Sequence, residues 1–180
     1  MTNSEINMIL SKQTIEKLIK EKKIKINPFD EKSIGTVSID LHLDKIALDP
    51  AKNEEISLDN YYLTNETFIL ANALEFIELP ANLIARIVPR SSLARLGVLA
   101  TMDADILLPN FVGKPLFTLK NLTNKPILLK PGLAIAQIMF EEVDQEVETQ
   151  ASRYDTNKLE ESKLCEELDN EKLIMKNEKR

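Results

Sequence analysis

Apolar positions follow two different periods along this chain. Near the start, in LSKQTIEKLIKEKKIKI (residues 10–26), Ile15, Leu18 and Ile19 fall on one helical face, with Ser11 placed as the N-cap. Pro28, in INPFD, stops anything helical close by. The spacing then switches. In TVSIDLHL (residues 36–43), Val37, Ile39, Leu41 and Leu43 alternate with Ser38, Asp40 and His42, which is the period of a half-buried strand. TFILAN, LEFIEL, LIARIV, GVLATM, PLFTLKN, PILL and AIAQIMF are all of strand length. Turn signals such as Pro80-Ala81-Asn82, Pro109-Asn110 and Pro131-Gly132 separate them. SSLARLG is the exception, since Gly97 is placed to close a single helical turn. Many short strands at this spacing predict a mainly β domain, a sandwich or barrel, rather than a βαβ fold.

From residue 141 the pattern changes again. EEVDQEVETQASRYDTNKLEESKLCEELDNEKLIMKNEKR is charged and free of Gly. Leu164 and Leu168 are i,i+4 neighbours, with Leu159, Leu173 and Ile174 close in sequence. A terminal helix and a partly disordered tail both fit; the expectation is a helix from about Lys158 to Met175. The chain is therefore read as a domain over residues 1–143 and an acidic C-terminal tail over 144–180.

Composition narrows the class. The 180 residues suffice for one domain with a real core, and 43% hydrophobic with 29% charged residues is ordinary for a globular protein. Trp is absent and aromatics are few, so Ile, Leu, Val and Ala must build the core. No apolar stretch approaches the roughly 20 residues of a membrane span, and the polar N-terminus lacks the apolar centre of a signal peptide. A cytoplasmic location away from membranes is expected.

Cys165 and His42 are each the only residue of their type, so a zinc site is not expected and no internal disulfide can form. Of the net charge of −6, residues 141–180 carry 7 basic and 13 acidic side chains, 7 − 13 = −6, which leaves the body near neutral. Without a basic stripe, nucleic acid is not an expected partner.

Four segments, in order, then carry a resemblance. MILSKQTIEKLIKEKKIKINPFD resembles the opening helix and turn of the dCTP deaminase branch of the dUTPase superfamily. SIDLHL is similar to that branch's early S-[IV]-D-L-R-L strand. RSSLARLG matches its most distinctive motif, and LLKPGLAIAQIMF resembles its late L-x-P-G-x-x-I-[GA]-Q-L-x-F strand. The resemblance runs from about residue 8 to 143. It implies a distorted jelly roll, a homotrimer with nucleotide sites at subunit boundaries, and dCTP or dUTP as substrate, with Mg2+ carried by the triphosphate.

Within that reading, RSSLAR is a triphosphate cradle. Arg90 and Arg95 offer planar forks of donors to phosphate oxygens, and the hydroxyls of Ser91 and Ser92 add more. In the family, residues matching Ser91 and Arg95 also lie near the reacting base, which makes them catalytic candidates here. Asp103, Asn110, Phe111 and Gln137 complete the nucleotide-contacting set. Asp40 is expected to hold a turn or an interface arginine, Gln137 to support the pocket or trimer axis, and His42 to be a surface strand residue.

The catalytic carboxylates are another matter. The deaminase base is a glutamate in a stretch like I-D-P-G-[FW]-x-G-x-I-x-L-E. Aligned on Pro109, Phe111 and Gly113, ILLPNFVGKPLFTL puts Thr118 at that position, and a Thr hydroxyl stays protonated near neutral pH. The aspartate by which dUTPases activate water matches Leu108. Asp105 is the candidate substitute base, although three residues from Leu108 it would face the other side of an extended hairpin. Two functions are carried forward. One is deoxypyrimidine nucleotide chemistry, dCTP to dUTP or dUTP to dUMP and pyrophosphate. The other is a non-catalytic trimer that binds nucleotide, or a protein partner through its tail.

Overall fold

The computed structural model of the chain describes residues 8–101 and 105–148. Candidate Asp103 and the helix expected over Lys158–Met175 lie outside the described residues. Helix α1 (Lys12–Lys20) begins at Ser11, whose backbone is extended as an N-cap requires. The Ser11 hydroxyl meets that of Thr14 at 3.4 Å instead of capping a backbone N–H. Ile15 is fully buried, and Leu18 and Ile19 pack on the core, so the apolar face holds the helix down. The helix stops sooner than its lysine-rich sequence suggests. Ile24 and Ile26 alternate with Lys23 and Lys25, and strand β1 (Lys25–Asn27) follows with both isoleucines buried.

Among the described residues twelve further strands follow, all antiparallel to their partners. They are β2 (Ile39–Asp49), β3 (Glu54–Ser57), β4 (Tyr61–Leu63), β5 (Phe68–Ala73), β6 (Phe76–Glu78) and β7 (Leu83–Pro89). After helix α2 (Ser91–Arg95) come β8 (Val98–Thr101), β9 (Ile106–Leu107), β10 (Val112–Gly113), β11 (Leu116–Asn121), β12 (Ile127–Leu129) and β13 (Ala134–Glu142). The main sheet runs β8-β11-β5-β2-β13-β7-β9, with β3 also paired to β2. Two small sheets, β1-β6-β10 and β4-β12, complete the fold.

Two features curl the main sheet. Strand β2 pairs with β13 along its first half and with β3 and β5 along its second, with a register irregularity between Leu43 and Ala47. Strands β8 and β9 stand at opposite ends of the strand order, yet only residues 102–105 connect them. Five residue steps reach about 17–18 Å at most, so the two edges must approach each other. The enclosed core is aliphatic as expected, with Phe117 and Phe140 as its only fully buried aromatics among the described residues.

One strand begins later than its pattern implies. Val37 is exposed and precedes β2, while Ile39, Leu41 and Leu43 are buried as expected. The stop after α2 is as the sequence suggests. Gly97 has φ +80°, the left-handed conformation that closes a helix, and its N–H donates to the Ala94 carbonyl. A Cβ there would collide with Cγ2 of Thr123, and the Thr123 N–H and hydroxyl both donate to Asn121 Oδ1. Gly97→Ala is expected to lower stability by about 1–3 kcal/mol from backbone strain alone, and more with the clash, as read from the denaturant midpoint.

Candidate functional site

The site is built where β7 leaves the main sheet. The Arg90 N–H donates to the Ile135 carbonyl at 3.2 Å, and α2 turns away immediately afterwards, anchored by buried Leu93. That anchor leaves Ser91, Ser92 and Arg95 exposed. None of the three side chains has a hydrogen bond or ion pair among the described residues, so all remain available to a ligand.

Beneath this turn lies a polar cluster drawn from three distant segments. Gln137 of β13 stands directly opposite Asp40 of β2 and Val88 of β7. Asp40 accepts from the Arg90 guanidinium through one oxygen and from the Gln137 amide, at 2.9 Å, through the other. Both Arg90 and Asp40 are partly buried, with 33% and 25% of the side chain exposed. The carboxylate therefore fixes the guanidinium at the mouth of the RSSLAR turn and offsets its charge. Asp40 was expected to hold a turn or an interface arginine; the arginine it holds belongs to the same chain. Gln137 spends its amide on Asp40 of the same chain.

Farther along β2, the same face carries a second pair. His42 is not the surface strand residue its alternation suggests. Its Nδ1 lies 2.6 Å from Glu75 Oε1, and its backbone N–H donates to Glu75 Oε2 at 2.9 Å. The Glu75 side chain is only 6% exposed, so this contact supplies a buried carboxylate with its partners. Lys114 and Asp44, at 2.6 Å, extend the row.

The turn from β9 to β10, expected as a hairpin, instead links two different sheets, and it is tightly built. Asn110 adopts φ +63° where the family motif has glycine, which supports the alignment across this turn. Its side-chain amide donates to the Val147 carbonyl at 3.0 Å and so ties down the start of the tail. Phe111 is partly buried against the core, and its carbonyl accepts from Leu79. Leu108 is 55% exposed.

Asp105 is exposed too, and its carbonyl accepts from the Ile87 N–H at 2.8 Å. The expectation that Asp105 and Leu108 face opposite ways assumes a continuous strand. Here β9 is only Ile106–Leu107, and both flanking side chains reach solvent. Thr118 sits mid-strand in β11, half-buried, opposite Leu70 on one side and Thr101 on the other. Among the described residues no cluster of His, Cys, Asp and Glu could hold a metal, and no helix is long and apolar enough to cross a membrane.

A family model described as dCTP deaminase-like matches residues 9–143. The chain belongs to the dCTP deaminase-like family. A dUMP-forming dCTP deaminase of Dictyoglomus turgidum is 33% identical over 163 residues, covering 79% of this chain and 84% of that protein. One from Hydrogenobaculum sp. is 35% identical over 150 residues, covering 77% and 84%. Among solved structures, 2'-deoxycytidine 5'-triphosphate deaminase from Agrobacterium tumefaciens matches with a TM-score of 0.65 at 22% identity. That match covers 76% of this chain and 48% of the other, and it shows a shared fold.

Family membership gives the three-segment cluster a meaning. The early strand, the RSSLAR turn and the late strand are three of the four segments that carried the resemblance, and Asp40, Arg90 and Gln137 are where they meet. Among the buried polar residues that sequence reasoning overlooked are Glu75 and Asn72. The signal for each was a polar side chain inside an apolar run, LEFIEL and TFILAN.

Proposed function

We propose that this chain handles deoxypyrimidine nucleoside triphosphates, dCTP or dUTP, at a site gathered around Arg90–Arg95. The carrying observation is the anchored turn. Asp40 and Gln137 hold Arg90 in place while Ser91, Ser92 and Arg95 stay exposed, with no side-chain partner among the described residues. Fixed guanidinium and hydroxyl donors suit a polyphosphate, and Mg2+ would arrive on the triphosphate. Homotrimeric assembly, with a second copy completing each site, agrees with exposed Leu96, Leu99, Leu108 and Leu122 on one chain. The cytoplasm is the compartment that suits such a ligand.

The chemistry is attenuated in this reading. Hydrolytic deamination needs a base to take a proton from the water attacking C4 of cytosine, and neither Thr118 nor Leu108 can accept one. Losing a positioned base costs about 10²–10⁴ in rate. The same two residues favour a second reading, a non-catalytic trimer that binds nucleotide or a protein partner.

Chromatography for dUTP, dUMP and pyrophosphate after incubation with dCTP or dUTP and Mg2+ decides between them. The expected result is product formed about 10²–10⁴-fold more slowly than by a carboxylate-bearing relative. Rapid turnover abolished by Asp105→Asn would contradict this and make Asp105 the base. Nucleotide binding with no product at all would establish the second reading.

A further inference from the structure

We propose that the β9–β10 turn is a docking site for the chain's own tail. In the ligand-free protein the leucines of residues 159–168 cover Leu108, guided there by the contact between Asn110 and Val147. The inference is independent of the nucleotide reading above.

Two departures from the family motif fall on this one turn. Where the motif reads I-D-P-G, this chain has Leu108 in place of the aspartate and Asn110 in place of the glycine. The first exchange puts apolar surface on a turn, and Leu108 is 55% exposed. The second puts a side chain at φ +63°, a conformation that glycine reaches more easily. That side chain is used, since its amide donates to the Val147 carbonyl at 3.0 Å. A glycine could make no such contact. A segment of tail lying on the turn accounts for both exchanges together.

The start of the tail is already held at this place. The Val143 N–H donates to the Asn82 carbonyl at 3.0 Å, and the Val147 N–H to that of Ala81 at 3.1 Å. The Asn110 N–H donates to the Pro80 carbonyl at 3.2 Å, so the β6–β7 turn, the β9–β10 turn and residues 143–147 are drawn together. Val147 is itself 43% exposed. Two residue steps, one asparagine side chain and one hydrogen bond separate Leu108 from Val147, about 16 Å at most. Leu108 also stands apart from the other exposed leucines. Leu96, Leu99 and Leu122 gather around Gly97, whose carbonyl accepts from the Leu122 N–H at 2.8 Å, and these three remain for a second copy.

The sequence beyond Glu148 fits the site. Leu159 follows after 11 residue steps, a reach of up to about 36–40 Å, so the chain can turn back with slack to spare. On the expected helix, Leu164 and Leu168 fall on one face about 6 Å apart, and Glu160, Glu161, Glu166 and Glu167 surround them with charge. A helix of this length is marginal in water by itself and gains from a surface on which to lay its leucines. The tether supplies an effective concentration of about millimolar, so a contact too weak between separate molecules is occupied within one chain.

Cys165 provides the test. It is the only cysteine and lies beside Leu164, so its rate of alkylation by iodoacetamide reads the covering of this segment without an added label. The rate is measured in the ligand-free full chain and in a peptide of residues 149–180. The full chain is expected to react about tenfold more slowly than the peptide. Leu108→Ser is expected to bring the rate to within about threefold of the peptide's, and Leu108→Met to stay slow. Asn110→Gly, which removes the latch and suits the backbone, is expected to speed exchange of the Val147 N–H about tenfold. Leu168→Ser leaves the domain untouched and is expected to speed alkylation as Leu108→Ser does.

A wild-type rate equal to the peptide's would overturn the inference, because nothing would then cover the segment. A slow rate unchanged in Leu108→Ser would overturn it too, by placing the tail against another surface, a second copy or a partner. Since nucleotide is absent throughout, neither outcome bears on the nucleotide reading.

Discussion

Thr118→Glu is expected to raise the deamination of dCTP by about 10²–10⁴-fold over the wild-type chain. The reaction adds water at C4 and expels ammonia, so a group must take a proton from the water and return one to the departing nitrogen. A glutamate can do both, and a threonine hydroxyl, protonated at neutral pH, can do neither. The backbone is ready for the change. Thr118 is half-buried on the face away from the core, its hydroxyl has no partner among the described residues, and Phe117 and Leu119 hold β11 in place from the other side. Ammonia release and dUTP or dUMP formation are the readouts. A variant that folds and binds nucleotide but gains no turnover would show that position 118 lies away from the reacting carbon.

The second large effect is on stability. Asp40→Ala strips a partly buried guanidinium of its counter-charge and the Gln137 amide of its acceptor in one step. A charge-assisted hydrogen bond contributes about 1.5–3 kcal/mol and a neutral one about 0.5–1.5, so the combined cost is about 2–4 kcal/mol. The exposure of both charged partners favours the lower half of that range. Asp40→Asn, which can still accept from Gln137, is expected to lose the larger part of this, the charge-assisted bond to Arg90, and to fold normally. Denaturant midpoints at constant m-value measure both. Equal stability of wild type and Asp40→Ala would mean that the cluster contributes nothing to holding the turn.

Most long strands were legible because one face is buried and the period of two shows through. Segments such as AIAQIMF and LIARIV could hardly be anything else. The shortest elements were not. Strand β1 hides at the end of a lysine-rich helix, where Ile24 and Ile26 change period with no glycine or proline between. Strands β9 and β10 have two residues each, too few for any pattern.

The site was legible in part, through residue types. The contacts that organise it were invisible, since Asp40 is 50 residues from Arg90 and 97 from Gln137. The same distance effect explains His42. Alternation turns it away from the core correctly, but its cover and its hydrogen bonds come from Glu75, 33 residues on. Asn72 shows the limit most clearly. Its face follows from the sequence, while its burial depends on how β5, β2 and β11 pack beside one another.

The central claim is a nucleotide grip without its usual base, and one calorimetric experiment reads both halves. Titrating the purified chain with dCTP and Mg2+ gives binding as a saturable heat and turnover as a sustained one. Saturable heat with little sustained signal is the predicted result. No saturable heat even at millimolar nucleotide, or a sustained heat matching that of a carboxylate-bearing relative, would contradict it.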